Sequence, residues 1–366
     1  MADDTSALVL VTGATGFVGS HCVKALLEGG YRVRGSVRSL DNEKKNGPIL
    51  ALDNNTQNGE KRLELVQADL LDEDSWKGAA QGCTYVLHVA SPFPVDQPKD
   101  ADVLVKPAVE GTLAVLRAAA AEPTVRRVVL CSSVAAISAG HVDKDTFDES
   151  DWSLEDPSLV TPYELSKTLA EKAAWKFVED LKKEQVRNLE LVVINPVFIL
   201  GPAIHGNDFS SGEIIRMLLR RAYPAVPRMA ISVIDVRDVA NAHLLAMTAP
   251  EAAGHRVPLA DCSTNMLELA RALAEEFRPL GYNVPTMAAP KWAFYVGGWF
   301  VPMFKIVHRF IDRRIEYSSK ERSAYLGLTE TVGWKKALLS IAYSLIEFGH
   351  VKKTDKYHGV PDEYQL

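Results

Sequence analysis

The stretch Leu8-Val9-Leu10-Val11-Thr12-Gly13-Ala14-Thr15-Gly16-Phe17-Val18-Gly19 decides the fold, because an apolar run ending in glycines three apart reads as strand, tight turn and helix start. Glycine at positions 13, 16 and 19 lets the backbone turn sharply, approach a pyrophosphate closely and seat the next helix, expected over 20–28, on a sheet. The first amides of that helix would face the phosphates. With Thr15, Phe17 and Val18 between the glycines, the motif predicts a dinucleotide site.

Working outward, the next apolar segment ends at Arg38, about 20 residues beyond the last glycine, where an acid would accept the ribose 2′-hydroxyl of NAD. A guanidinium there suits a 2′-phosphate instead, so NADP(H) is the expected cofactor. Lys45, with Lys44 beside it, could add a second cation at the same corner. Short β-branched runs then alternate with helical patterns, with strands expected at 8–12, 32–37, 63–67, 85–89, 128–132 and 189–194. Their nearly continuous apolar character means burial on both faces. The fold class is α/β, a doubly wound parallel-sheet Rossmann domain with a smaller, interleaved C-terminal substrate lobe. A strand at 230–234 and a helix at 238–248 are expected to return to the dinucleotide domain. That domain is therefore read as 1–195 plus about 229–262, and the substrate lobe as 196–228 and 263–366.

A chain of 366 residues, 47% hydrophobic, can bury a large core. The net charge of −6, with no basic stripe carrying interleaved aromatics, argues against nucleic acid as a partner. Cys22, Cys83, Cys131 and Cys262 show no paired spacing, so neither a metal site nor a disulfide framework is expected. The first apolar run is already the opening strand, not a signal peptide, and the expected location is cytoplasmic.

Thr161-Pro162-Tyr163-Glu164-Leu165-Ser166-Lys167 supplies the chemistry. Thr161 and Glu164 form a capping-box pattern with Pro162 in the first turn, so a helix should begin just before the tyrosine. Tyr163 and Lys167, four apart, then share one face. A phenol titrates near ~10, and an ammonium together with a helix N-terminus favours its ionised form, which equips Tyr163 to donate a proton to a carbonyl oxygen. The strand Val128-Val129-Leu130-Cys131-Ser132-Ser133 ends in two hydroxyls at the edge where open α/β sheets bind ligands. Ser133 is expected to hydrogen-bond the reacting carbonyl, with Ser132 the alternative.

With these residues together, the chain resembles the extended short-chain dehydrogenase/reductases. Within them it is most similar to the branch of dihydroflavonol 4-reductase, cinnamoyl-CoA reductase and the fungal methylglyoxal and aldehyde reductases. The resemblance covers most of the chain to about residue 265 and includes His88-Val89-Ala90-Ser91-Pro92, Val109-Glu110-Gly111-Thr112, Ser166-Lys167-Thr168-Leu169-Ala170-Glu171, Asn195-Pro196-Val197 and Asp235-Val236-Arg237-Asp238-Val239-Ala240. It implies that Asp69 and Leu70 flank the adenine, that Val89, Ala90 and Ser91 line the ribose and nicotinamide side, and that Pro196, Val197 and Ile199 back the nicotinamide. Asp235 and Asp238 read as structural. The flavonoid reductases carry an asparagine where this chain has Ser138, and the asparagine-tryptophan motif of cinnamoyl-CoA reductases is absent from it. The expected activity is NADPH-dependent reduction of an aldehyde or ketone, on a small-molecule substrate, by a monomer or homodimer.

The segment 292–304, Trp292 to Phe304, is rich in aromatics but short of the ~20 residues of a spanning helix and broken by Gly297-Gly298 and Pro302. It reads as a pocket wall or subunit interface, with shallow membrane contact as the alternative. The competing functions are a 3β-hydroxysteroid dehydrogenase-like oxidoreductase, a nucleotide-sugar epimerase or dehydratase with bound NAD, and a cofactor-binding sensor without chemistry.

Overall fold

The computed structural model describes residues 6–53, 61–91, 100–206, 210–292 and 310–366. Five runs of the expected kind, β1 (Leu8–Thr12), β2 (Arg32–Val37), β3 (Leu63–Gln67), β4 (Tyr85–His88) and β5 (Arg127–Cys131), build most of the main sheet. Beyond the two-residue β6 (Thr146–Phe147), the sheet is completed by β7 (Glu190–Pro196) and, past β8 (Phe198–Leu200) and β9 (Ala230–Asp235), by β10 (Arg256–Leu259). All seven strands run parallel in the order β10-β7-β5-β4-β1-β2-β3. The order reverses at β1 and β4, so the sheet opens a crevice at the carboxyl ends of those two strands.

Helices α1 (Phe17–Glu28), α2 (Glu43–Leu50), α3 (Glu73–Ala80), α4 (Asp102–Ala121), α5 (Pro162–Lys183), α6 (Ser210–Leu219), α7 (Val236–Thr248) and α8 (Met266–Phe277) follow in chain order. One face of the sheet packs on α1 and α7 through Val9, Val11, Val23, Leu26, Val239 and Ala246. The other packs on α3, α4 and α5 through Leu10, Trp76, Val115, Val128 and Ala174. A separate cluster joins α6, α8 and the helix Trp334–Glu347 around Phe277, Leu338 and Tyr343.

Three features differ from the sequence reading. The strand at 230–235 does not enter the main sheet: it pairs parallel with β8 and antiparallel with β11 (Cys262–Asn265), while α7 behind it does pack on α1. The last strand of the main sheet is β10, four residues that include Arg256 and Pro258. Its position at the sheet edge tolerates the missing proline amide, and so short a run with a charge and a proline carries no strand signal in sequence. Helix α1 also begins at Phe17, three residues earlier than expected, so Gly16 rather than Gly19 is its N-cap.

Candidate active site

The glycine loop is held by contacts that only glycine permits. Gly13 has φ +66, and a Cβ on it would meet the Ala90 Cα at 3.1 Å, so the β1 and β4 ends touch here. Its N–H donates to Ser36 Oγ at 3.1 Å and the Gly16 N–H to Gly13 O at 2.8 Å. A Cβ on Gly19 would lie 2.2 Å from Gly13 O, so α1 starts flush against the loop. Thr15, Phe17 and Val18 are half-buried around it and Gly16 is exposed.

The remaining expected cofactor residues fall on neighbouring strand ends. Arg38 is exposed just past β2, and Lys45 is exposed on the first turn of α2. Asn46, buried behind them, donates its amide to Ser39 O and Leu40 O, each at 3.0 Å, and so fixes the turn that carries Arg38. Asp69 and Leu70 follow β3; the Asp69 carboxylate accepts the Leu71 N–H at 2.9 Å, and Gly111 of α4 leaves room for the Leu70 side chain. Val89, Ala90 and Ser91 follow β4, and Thr12 orders them by accepting both the Val89 and Ala90 amides at 3.0 and 2.9 Å. The Thr12 hydroxyl lies 2.9 Å from His88 Nδ1. With its lone pairs so used, that hydroxyl donates to Nδ1, which leaves the His88 proton on Nε2. Burial pushes His88 down to about 3 and the Lys167 ammonium adds to the shift, so the ring is neutral. Pro196 closes β7, Val197 is buried with its N–H on Leu259 O, and Ile199 is half-buried in β8.

On the other side of the crevice, α5 begins as the sequence predicts: Thr161 and Glu164 form a complete capping box and Pro162 occupies the first turn. Tyr163 and Lys167 lie half-buried on one face, the Lys167 Nζ 6.0 Å from the Tyr163 ring centre. Burial pushes the Cys131 thiol at the end of β5 up to about 11, with the Lys167 ammonium pulling the other way. Ser133 sits on the turn after β5, half-buried, its Oγ accepting the Ala135 N–H at 3.1 Å. Ser132 instead is buried and donates to Glu171 Oε2 at 2.5 Å.

A match to the model of the NAD dependent epimerase/dehydratase family runs over residues 9–259, from the opening strand to the last strand of the main sheet. The chain belongs to that family. It is 33% identical over 332 residues to cinnamoyl-CoA reductase CAD2 of Medicago truncatula, covering 88% of this chain and 91% of the relative. It is 34% identical over 291 residues to an anthocyanidin reductase of Vitis vinifera, covering 75% and 82%. Among solved structures, the yeast methylglyoxal/isovaleraldehyde reductase Gre2 complexed with NADPH superposes with a TM-score of 0.75 at 27% identity, covering 94% of this chain and 99% of that one. Within the family the chain is an NADP-dependent oxidoreductase of the extended short-chain dehydrogenase/reductase type. The glycine cradle, which any Cβ at position 19 would fill, and the exposed Arg38 fit that cofactor.

Four parts of the site carry no direct sequence signal. Asn46 acts through a turn, and the Thr12–His88 pair spans 76 residues. His205, from the loop after β8, is lowered by burial, with a hydrogen bond to the Thr15 backbone opposing and Lys45 lowering it further, so the second lobe reaches back to the glycine loop. Ser138 is 2.7 Å from the hydroxyl of Tyr317, on β12 (Glu316–Tyr317). Apart from the exposed Trp292, the aromatic segment 292–304 lies outside the described residues. Among the described residues no helix is long and apolar enough to cross a membrane, and no cluster of side chains could hold a metal ion.

Proposed function

We propose that this chain is a carbonyl reductase for an aldehyde or ketone, with Ser133, Tyr163 and Lys167 as its catalytic residues. The observation that carries the reading is the placement of Tyr163 and Lys167 on the capped first turns of α5, against the turn that bears Ser133, at the open edge of the sheet. The glycine loop, Arg38, Lys45 and the strand-end residues 69–70, 89–91 and 196–199 hold NADPH, which supplies the hydride when bound. Ser133 Oγ donates a hydrogen bond to the carbonyl oxygen, one that strengthens as negative charge develops there. Tyr163 delivers the proton to that oxygen. Lys167 stabilises the phenolate left behind and holds the nicotinamide ribose through its hydroxyls.

The relatives named above reduce a cinnamoyl thioester, an anthocyanidin and small aldehydes by their names, and the shared chemistry favours a C=O acceptor. Ser138, where the flavonoid reductases carry an asparagine, has its hydroxyl engaged by Tyr317, which favours an acceptor other than a dihydroflavonol. We place the substrate against the lobe built from 196–228 and 263–366, in a cytoplasmic monomer or homodimer. The decisive experiment is NADPH oxidation over a panel of aldehydes, dicarbonyls, flavonoid ketones and ketosteroids, with Tyr163→Phe as control. Turnover should fall by about 1,000-fold or more with NADPH affinity kept, as expected when the only proton donor is removed. Wild-type turnover in that variant would end the assignment.

A further inference from the structure

Glu171 is fully buried two turns along α5 from Tyr163 and one turn from Lys167, on the same helix face. Four donors converge on its carboxylate. Arg256 Nε of β10 reaches Oε1 at 2.5 Å and Trp175 Nε1 of α5 at 3.5 Å, while Ser132 Oγ, just past β5, reaches Oε2 at 2.5 Å and Asn195 Nδ2 of β7 at 2.7 Å. They use the lone-pair directions a carboxylate offers. The same Asn195 Nδ2 also donates to Ser133 O at 3.1 Å, so a single amide connects Glu171 to the backbone of the proposed catalytic serine. Arg256 is itself held over the Trp152 ring at 3.7 Å and donates to Glu149 O, Asp151 O and Ala136 O, the last within the turn that follows Ser133.

We propose that Glu171 is a positioning residue that sets the register between α5, which carries Tyr163 and Lys167, and the β5 turn, which carries Ser133. This rests on the reductase reading above. Ser133 and the Tyr163–Lys167 pair lie on different elements, and apolar packing between a helix and a sheet tolerates small slides. Hydrogen bonds to one carboxylate from β5, β7 and β10 do not, because each has a fixed length and direction. An apolar side chain could fill this place with equal or better stability, since a buried ion pair carries a large desolvation penalty. The orientation of Asn195 points the same way: it turns its amide nitrogen to both Glu171 and Ser133 and leaves its own buried Oδ1 without a partner among the described residues.

The test is a double-mutant cycle between Glu171→Gln and Ser133→Ala, followed by kcat and KM with NADPH and a reducible aldehyde and by NADPH affinity from fluorescence titration. Glu171→Gln is expected to lower kcat about 10- to 100-fold while KM and NADPH affinity stay within about threefold, the signature of misplaced reacting groups. In the Ser133→Ala background the same substitution should cost less than about threefold, because its effect is transmitted through Ser133. Should Glu171→Gln not fold, Ser132→Ala, which removes one donor and keeps the Arg256 pair, replaces it in the same cycle with an expected loss in kcat of about 3- to 10-fold. Wild-type kcat in the single variant, or equal losses in both backgrounds, overturns the positioning role even where Tyr163→Phe is inactive. An active Tyr163→Phe overturns the reductase reading and this inference together.

Discussion

Gly19→Ala should separate cofactor binding from folding. The new methyl would lie 2.2 Å from Gly13 O, 3.0 Å from Gly13 C and 3.3 Å from Ala14 Cα, all of them backbone atoms that no rotamer change can move aside. Reaching an ordinary contact requires the loop to retreat by about 1 Å. Gly13 O is also the acceptor for the Gly16 amide at 2.8 Å, so the retreat opens the turn that presents the amides to the pyrophosphate. Overpacking of this kind costs about 1–3 kcal/mol of stability. Losing one or two amide contacts to a charged phosphate costs about 3 kcal/mol of binding, which raises the NADPH Kd by about 100-fold. Two companions calibrate the result. A Cβ on Gly16 meets only Gly13 O, at 3.2 Å, so Gly16→Ala should weaken NADPH by less than about tenfold. Beyond its chain neighbours, a Cβ on Gly47 meets nothing within 4 Å among the described residues, so Gly47→Ala should leave the Kd unchanged. Fluorescence titration with NADPH and urea unfolding measure both quantities. A Gly19→Ala protein that binds NADPH within about threefold of wild type, or a Gly47→Ala protein as impaired as Gly19→Ala, would refute the cradle argument.

Other consequences can be checked with the same assays. Arg38→Ala should raise the NADPH Kd by about 10- to 100-fold and leave NADH nearly unchanged, as the proposed pairing of its guanidinium with the 2′-phosphate requires; equal losses for both would remove that role. Asn46→Ala, which frees the carbonyls of Ser39 and Leu40, should shift the NADPH-to-NADH preference in the same direction by a smaller factor. Stability should fall with acid. Burial holds His21 and His243 near about 4 and His88 near about 3, below the ~6.5 of an unfolded histidine. The unfolded chain therefore takes up protons first, and stability that is complete above about pH 6.5 is lost as pH falls toward 4, at ~1.4 kcal/mol per unit for each ring. Asp238, raised to about 6 by burial, works in the opposite sense below pH 6 and offsets about one of the three. Urea midpoints at pH 7.5, 6 and 5 should decline steadily, and a flat series would mean that these rings protonate within the fold.

Much of the cofactor half is legible in the sequence because its information is local. The run from Leu8 to Gly19 contains its own strand, turn and helix start, and Thr161 to Lys167 contains cap, proline and the tyrosine–lysine pair within two turns. Backbone geometry at such spacings is nearly fixed by residue type. The sequence reading prefers Ser133 with Ser132 as the alternative, since adjacent residues at a strand end differ only in which way each points; the hydrogen bond from Ser132 to Glu171, 39 positions away, is what the sequence does not show. The last strand of the sheet carries no local signal: Arg256 and Pro258 oppose the strand pattern, and the free edge beside β7 and the buried partner Glu171 make them acceptable.

By itself, then, the sequence determined a doubly wound sheet, a dinucleotide loop with a cation at its ribose end, and a tyrosine and lysine on one helix face. Tertiary structure decided how the pieces register. The Thr12–His88 pair sets the loop after β4, Asn46 fixes the Arg38 turn, Tyr317 meets Ser138 across 179 positions, and Glu171 joins α5 to three strand ends. Apart from Asn46, whose bonds close a local turn six and seven positions long, each of these is a hydrogen bond between groups distant in sequence, whose length and direction exist only once the helices have packed on the sheet.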